Sequence, residues 1–174
     1  MRYPEAVQLL AAWDRRGRCV FLKRDLAKIL DESGKTLDQT LRRLVAAGLL
    51  ERVAHGVYVY ALSAHLGVPA LDEVALALRR GEYVFESYES ALSQWGRISQ
   101  VPIDTMTLAT TGRKGVFRTR FGVIEFTHTA ADAAEIAANT VARPGRAIPI
   151  ATEAYALSGL RRTGRNLDLV DQGV

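Results

Sequence analysis

The sequence predicts an α+β fold, with a helix-rich first third followed by a mixed α/β region that contains a small sheet. Apolar residues recur at helical spacing up to about residue 47, and short β-prone runs are common after it. Hydrophobic residues make up 48% of the 174 residues, which is enough for a packed core. The charge is also uneven. Residues 1–60 hold 11 Lys and Arg against 7 Asp and Glu, whereas residues 61–174 hold 12 of each.

Three helices are predicted in the first third of the chain. Apolar spacing places them near residues 4–16, 22–31 and 37–47. Pro4 suits the first turn of the first helix, and Gly48 ends the third. Thr36 and Gln39 have the spacing of a capping box at the start of the third helix.

A β-hairpin is predicted directly after the third helix. Its strands are Leu50 to Val53 and Val57 to Tyr60, joined by a turn at Ala54, His55 and Gly56. Three helices followed by such a hairpin describe a winged helix-turn-helix. We therefore assign residues 1–60 to a winged helix-turn-helix domain that binds DNA, with its third helix in the major groove.

The DNA-binding residues follow from the helical wheel. If Leu37, Leu41 and Leu44 face the core, the opposite face of the third helix is basic and carries an amide. The candidate DNA contacts are Lys35, Thr36, Gln39, Arg42 and Arg43 on the helix and Arg52 and His55 on the wing. Arginine reads guanine and glutamine reads adenine, while lysine suits phosphates. An ordinary solvated face is the competing interpretation, and a Gln39 used in the capping box cannot also reach a base.

The remaining chain is predicted to form a linker, residues 61–69, and a second domain, residues 70–174. Helices are expected near 71–80, 87–95 and 129–139, with another helix that Thr152 caps. A strand is expected within residues 101–111, where Ile103, Met106 and Leu108 alternate with polar residues. A two-strand hairpin should follow, with Gly122 near its turn.

Tests for catalytic motifs give no positive result. The stretch "TTGRKGVFRTRFG" lacks the second Gly-Lys-Ser/Thr of a phosphate-binding loop. Asp104 and Glu125 fall on neighbouring predicted strands, but the Glu-x-Lys of many nucleases is absent. The three histidines have no metal-ligand spacing, and Cys19 stands alone. We therefore predict no enzyme activity, no catalytic residue, no metal and no cofactor.

A cytoplasmic location is predicted from what the sequence lacks. It has no apolar run long enough for a membrane span, no signal-peptide pattern at its start and no cysteine pair for a disulfide. We expect no membrane association.

Two stretches in the middle of the chain, "YVFESYESALSQWGRISQVP" and "TMTLATTGRKGVFRTRFGVIEFTH", contain Ser-Ala-Leu in a predicted helix, then Val-Pro, Thr-Gly-Arg and a late Phe126 to His128. With these motifs the middle of the chain resembles the AbiEi family of bacterial antitoxins. "LRRLVAAGLLERVAHGVYVY" is similar to the family's winged helix and its Gly-Val-Tyr wing.

This resemblance implies an autorepressing antitoxin of a type IV toxin–antitoxin, or abortive-infection, system. The winged helix would bind inverted repeats in double-stranded DNA of its own promoter, where the protein could self-associate. The second domain would counteract a nucleotidyltransferase-type toxin, and direct contact with that toxin is left open. Apart from the resemblance, the basic residues Arg113, Lys114, Arg118 and Arg120 form a local patch on the predicted hairpin, which is assigned as an antitoxin patch. Contact of this patch with the DNA backbone, with RNA or with no partner stays open. The alternative is a winged-helix regulator whose second domain senses a ligand or dimerises.

Overall fold

The computed structural model describes residues 1–99 and 104–170, and the chain divides into two units, Met1–Leu78 and Arg79–Val174. The first unit contains helices α1 (Tyr3–Asp14), α2 (Lys23–Ile29), α3 (Gly34–Ala46) and α4 (Val68–Leu78) and strands β1 (Val20–Leu22), β2 (Leu50–Ala54) and β3 (Val57–Tyr60).

The first unit has the element order of a winged helix-turn-helix. Strands β2 and β3 form the predicted antiparallel hairpin, and β1 pairs with the other side of β3, giving the order β1-β3-β2. The left-handed backbone of Gly56, with φ of 71°, allows the tight turn of the wing. Strand β1 was not predicted, because three residues are too few to show a period.

The predicted capping box is wrong. Helix α3 begins at Gly34, one turn earlier than expected, and its N-cap is Ser33, whose backbone is extended. Thr36 therefore lies inside the first turn, where it cannot cap the helix. The conflict over Gln39 disappears, because its side chain is not part of a cap and is at least partly accessible.

Helix α4 belongs to the first unit, although the sequence analysis placed residues 70–80 in the second domain. Its buried side chains include Ala70, Leu71 and Val74. The Glu73 carboxylate accepts hydrogen bonds from the backbone N–H groups of Cys19 (3.3 Å) and Val20 (3.2 Å). Burial raises the pKa of Glu73. The functional division at residue 70 stays a prediction, whereas the structural division lies after Leu78.

The second unit is built on a mixed sheet. It contains helices α5 (Tyr88–Gln94), α6 (Ala133–Asn139) and α7 (Glu153–Thr163), a 3-10 helix (Leu167–Leu169), and strands β4 (Val84–Glu86), β5 (Thr105–Thr110), β6 (Gly115–Thr119), β7 (Gly122–His128), β8 (Thr140–Val141) and β9 (Ile150–Ala151). The strand order is β6-β7-β5-β4-β9-β8, with β5 parallel to β7 and β4 parallel to β9. These elements confirm the predicted α+β class and the predicted hairpin, which is β6 and β7.

Some sequence predictions for the second unit are refined by the structure. The strand expected within residues 101–111 is β5, and Ile103 lies outside the described residues. The helix expected from residue 129 begins only at Ala133, where Asp132 caps it by accepting from the N–H of Glu135. Thr152 caps α7 as predicted, since its hydroxyl accepts from the N–H of Tyr155.

Helices α5 and α7 pack closely over the sheet. Tyr88, at the start of α5, is buried and has a left-handed φ of 57°, which is rare for an aromatic residue. Gly159 of α7 lies against it, and a Cβ at that position would stand 3.2 Å from Tyr88 Cε1. The absence of a side chain at residue 159 therefore makes room for the tyrosine ring.

The described residues contain no helix with both the length and the apolar character needed to cross a membrane.

Candidate nucleic-acid interface

Helix α3 presents one buried and one accessible face. Leu37, Thr40, Leu41 and Leu44 are buried. The residues predicted to contact DNA are all exposed: Lys35, Thr36, Gln39, Arg42, Arg43, Arg52 and His55. The helix is strongly amphipathic because apolar side chains recur every three or four residues. The predicted division of α3 into a buried apolar face and an accessible basic face is thus reproduced, and the basic face is available to a ligand.

A groove of about 450 Å³ separates α3 from the wing. Leu41, Val45 and Tyr58 contribute apolar atoms, while Arg42 and Arg52 stand on opposite sides of the groove. The structure therefore brings Arg42, Arg52 and His55 together around one groove. The other predicted residues, Lys35, Thr36, Gln39 and Arg43, are not among those that line it.

The wing residues Arg52 and His55 contact one another. Arg52 Nη2 lies 3.1 Å from His55 Nδ1. Because a guanidinium only donates hydrogen bonds, Nδ1 is the acceptor in this contact. The contact joins a side chain of β2 to one in the turn of the wing.

Lys23 and Asp38 also line this groove, and neither was among the predicted residues. Their side chains form an ion pair of 2.5 Å between Lys23 Nζ and Asp38 Oδ1, and they are 45% and 42% exposed. Lys23, followed by Arg42, lowers the pKa of Asp38. Lys23 begins α2, so only the folded arrangement of α2 against α3 could reveal that it shares the groove.

Arg42 and Arg43 differ in their surroundings. Arg43 Nη2 donates to Thr40 Oγ1 (3.0 Å) and to the carbonyl oxygen of Met1 (3.3 Å). Among the residues that the structure describes, Arg42 has no side-chain hydrogen-bond partner, and it lines the groove. Arg42 is therefore the better placed of the two to bind an incoming ligand.

The predicted antitoxin patch lies on the second unit. Arg113 and Lys114 lie in the turn before β6, Arg118 lies on β6, and Arg120 follows it; all four are exposed. The guanidinium of Arg79 donates to the backbone oxygen of Arg113 (2.8 Å) and stacks on Phe126, 4.2 Å from the ring centroid. The turn is thus fixed to the sheet.

A cluster of charged side chains adjoins the sheet of the second unit. Arg165 Nε lies 2.9 Å from Glu89 Oε1, and its Nη1 lies 2.6 Å from Glu125 Oε1. Burial by itself lowers the pKa of Arg165, but the hydrogen bonds with Glu125 and Glu89 raise it overall. Glu125, which was considered as a nuclease carboxylate, is engaged in this ion pair. Asp104, the other carboxylate considered, lies before β5 and is exposed.

Side chains that could bind metal are dispersed. Within residues 1–99 and 104–170, no three His, Cys, Asp or Glu residues come together as a metal site. Cys19 is fully buried, and burial, followed by the charge of Glu73, raises its pKa to about 11. A thiol in this state is a poor nucleophile.

Comparison with known proteins adds a family and a fold. Residues 8–61 match the model of a family described as transcriptional regulator, AbiEi antitoxin. This match confirms the resemblance over residues 8–61, which contain the second half of α1, all of α2 and α3, and the wing; it does not extend to the second unit. No curated protein matches the chain.

A solved structure supports the fold over nearly the whole chain. The crystal structure of the RV2827C protein from Mycobacterium tuberculosis superposes with a TM-score of 0.65 and 17% identity, covering 97% of this chain. The chain spans 65% of the length of that protein. At this identity the similarity concerns the fold alone.

Proposed function

From the family match over residues 8–61, we infer that this chain is an antitoxin that binds its own promoter and represses transcription. The observation that carries this proposal is the accessible basic face of α3 beside the wing, within the matched residues. The matched family is one of transcriptional regulators. We propose that the chain acts by binding, without catalysis and without a cofactor.

In this proposal, α3 enters the major groove and the wing lies along the backbone. Arg42 and Gln39 would read base edges, and Lys35 and Arg52 would contact phosphates. Lys23, with Asp38, would add a contact at the edge of the groove. Inverted repeats in the promoter would place two chains side by side on the DNA.

Promoter binding can be tested directly. A labelled duplex from the region upstream of the gene is titrated with the intact protein over a range of salt concentrations. We expect the logarithm of affinity to fall linearly with that of salt, by about 0.9 per phosphate neutralised. The same affinity for a scrambled duplex at every salt concentration would contradict promoter recognition.

The residues of α3 are tested by substitution. An Arg42→Ala and Arg43→Ala double variant should bind the promoter more weakly, by about 1–3 kcal/mol for each arginine that pairs with a base through two hydrogen bonds. Arg161→Ala removes an exposed arginine from the second unit and serves as the control. Unchanged binding of the double variant would refute the assignment of the recognition helix.

We further propose that the second unit counteracts a nucleotidyltransferase-type toxin encoded beside the gene. The support is the antitoxin description of the matched family and the resemblance over residues 88–128. The test is co-expression of the neighbouring gene with the intact chain, with residues 1–78 or with residues 79–174, scored by recovery of growth. No recovery with the intact chain would refute this part.

A second candidate function is a regulator whose second unit senses a small ligand. The observation in its favour is a cleft of about 400 Å³ beside the Glu89, Glu125 and Arg165 cluster. Asn166, which also lines it, has a left-handed backbone with φ of 23°. Strained residues concentrate at binding sites. Normal repression without a neighbouring toxin gene would favour this candidate.

A further inference from the structure

Strand β6 forms one edge of the sheet in the second unit. Among residues 1–99 and 104–170, its one partner strand is β7. In an antiparallel pair, every second residue directs its N–H and C=O away from the neighbouring strand, so β6 offers backbone groups at its open side. Such an edge can accept another extended segment as an added strand.

One face of β6 is anchored. The Phe117 ring packs edge-on against Phe126, with centroids 5.9 Å apart, and the Arg79 guanidinium lies over both rings. These contacts hold the strand in its extended form before any partner arrives, which lowers the entropy that binding must overcome.

The opposite face of β6 is open. Val116 and Arg118 alternate with Phe117 along the strand, so they share this face. Val116 is 57% exposed. Both side chains line the cleft of about 400 Å³, together with the apolar Val123 and Leu169 and with the ion-paired Glu89, Glu125 and Arg165. A strand added to β6 could place an apolar side chain into this cleft.

The charge around this edge is positive. Residues 113–120 include four basic residues and no acidic one. Within the described part of the chain, no carboxylate forms an ion pair with Lys114 or Arg118. Glu125, which faces Val116 in the register, is already bound to Arg165. The unbalanced charge favours an acidic partner.

A second copy of the chain does not fit this edge, because pairing β6 with β6 would bring like charges together. Basic residues also protect edge strands from aggregation. Protection alone, however, does not account for an exposed valine beside a cleft. A nucleic acid would leave both the backbone groups and the cleft unused.

We propose that β6 is a docking edge for an extended acidic segment of a protein, which joins the sheet as a further strand beside Val116 and Arg118. The proposal rests on the proposed antitoxin function, in which that protein is the toxin. The recognised segment carries an apolar side chain for the cleft and carboxylates for Lys114 and Arg118.

The experiment uses the intact chain and the purified product of the neighbouring gene. Affinity is measured by titration calorimetry for the wild type, Lys114→Glu and Arg118→Glu. Arg161→Glu, an exposed arginine on α7 of the same unit, is the matched control with the same charge change. Hydrogen exchange of the β6 amides is followed with and without the toxin, and thermal unfolding checks that each variant folds.

We expect Arg118→Glu and Lys114→Glu each to weaken binding by about tenfold or more, because the acidic segment would then meet a like charge. Arg161→Glu should bind as the wild type does, and the β6 amides should exchange more slowly in the complex. Equal losses in all three variants, or β6 amides that exchange at the same rate in the complex, would overturn the docking edge.

Growth recovery separates this inference from the proposed function. Recovery by the wild type without measurable toxin binding would overturn the docking edge and leave the antitoxin function standing. No recovery by the wild type would overturn both.

Discussion

Arg42 and Arg43 are neighbours in the sequence, yet the fold gives their guanidinium groups different surroundings. Arg43 donates a hydrogen bond to the buried side chain of Thr40, whereas Arg42 lines the groove beside the wing. A helical wheel places both on the outer face and cannot separate them. The distinction between a residue that supports the helix and one that is available to a ligand exists only in the folded unit.

Stability measurements should separate the two arginines. Arg43→Ala removes hydrogen bonds to Thr40 and Met1, so we expect a loss of about 0.5–1.5 kcal/mol in the free energy of unfolding. Arg42→Ala should stay within about 0.5 kcal/mol of the wild type, as surface substitutions do. Denaturant unfolding of the intact protein measures both, and an equal loss in both variants would contradict this assignment.

The thiol of Cys19 should be inert in the folded protein. Its pKa is raised to about 11, so an alkylating reagent at pH 8 should modify the folded chain far more slowly than the chain in denaturant. Because folding favours the protonated thiol, its contribution to stability is complete below about pH 9 and is lost as pH rises toward 11. Cys19→Ala should reduce that loss.

At the scale of elements, α4 shows what local pattern can and cannot reveal. Its apolar spacing predicts a helix, and a helix is found. The spacing does not state which core the helix covers, and the glycine and proline near its start are typical of a linker. Its attachment comes from the contacts of Glu73 with Cys19 and with Val20 of β1, which lie more than fifty residues away in the sequence.

Truncation should show that α4 belongs to the winged helix. Residues 1–78 should unfold cooperatively on heating, whereas residues 1–60 should lose stability because they leave the apolar side chains that α4 covers in water. Circular dichroism during heating measures this. Equal melting of the two fragments would contradict the role of α4.

A substitution tests the same attachment in the intact chain. Glu73→Ala leaves the N–H groups of Cys19 and Val20 without this acceptor, at a cost of about 1–3 kcal/mol. Glu73→Gln retains an acceptor oxygen and should cost less. Thermal unfolding compares the two variants, and the reverse order would refute the explanation.

Across the whole molecule, the sequence predicted the α+β class, the hairpin wing and the β6–β7 hairpin, because these depend on neighbouring residues. It missed the parallel pairing of β5 with β7 and the position of β4 between β5 and β9. Such pairings join distant segments and leave no local period. The accessible residues of α3 were predictable, while Lys23 entered the groove only through the packing of α2.

The close fit of Tyr88 and Gly159 couples two helices that lie far apart in the sequence. A larger residue at position 159 would have to displace the tyrosine ring, and a smaller one at position 88 would leave a void. A substitution at either position alone should therefore be disfavoured during evolution. Relatives that lose the aromatic residue at one position are expected to show a compensating gain in volume at the other, so the pair should change together or remain fixed.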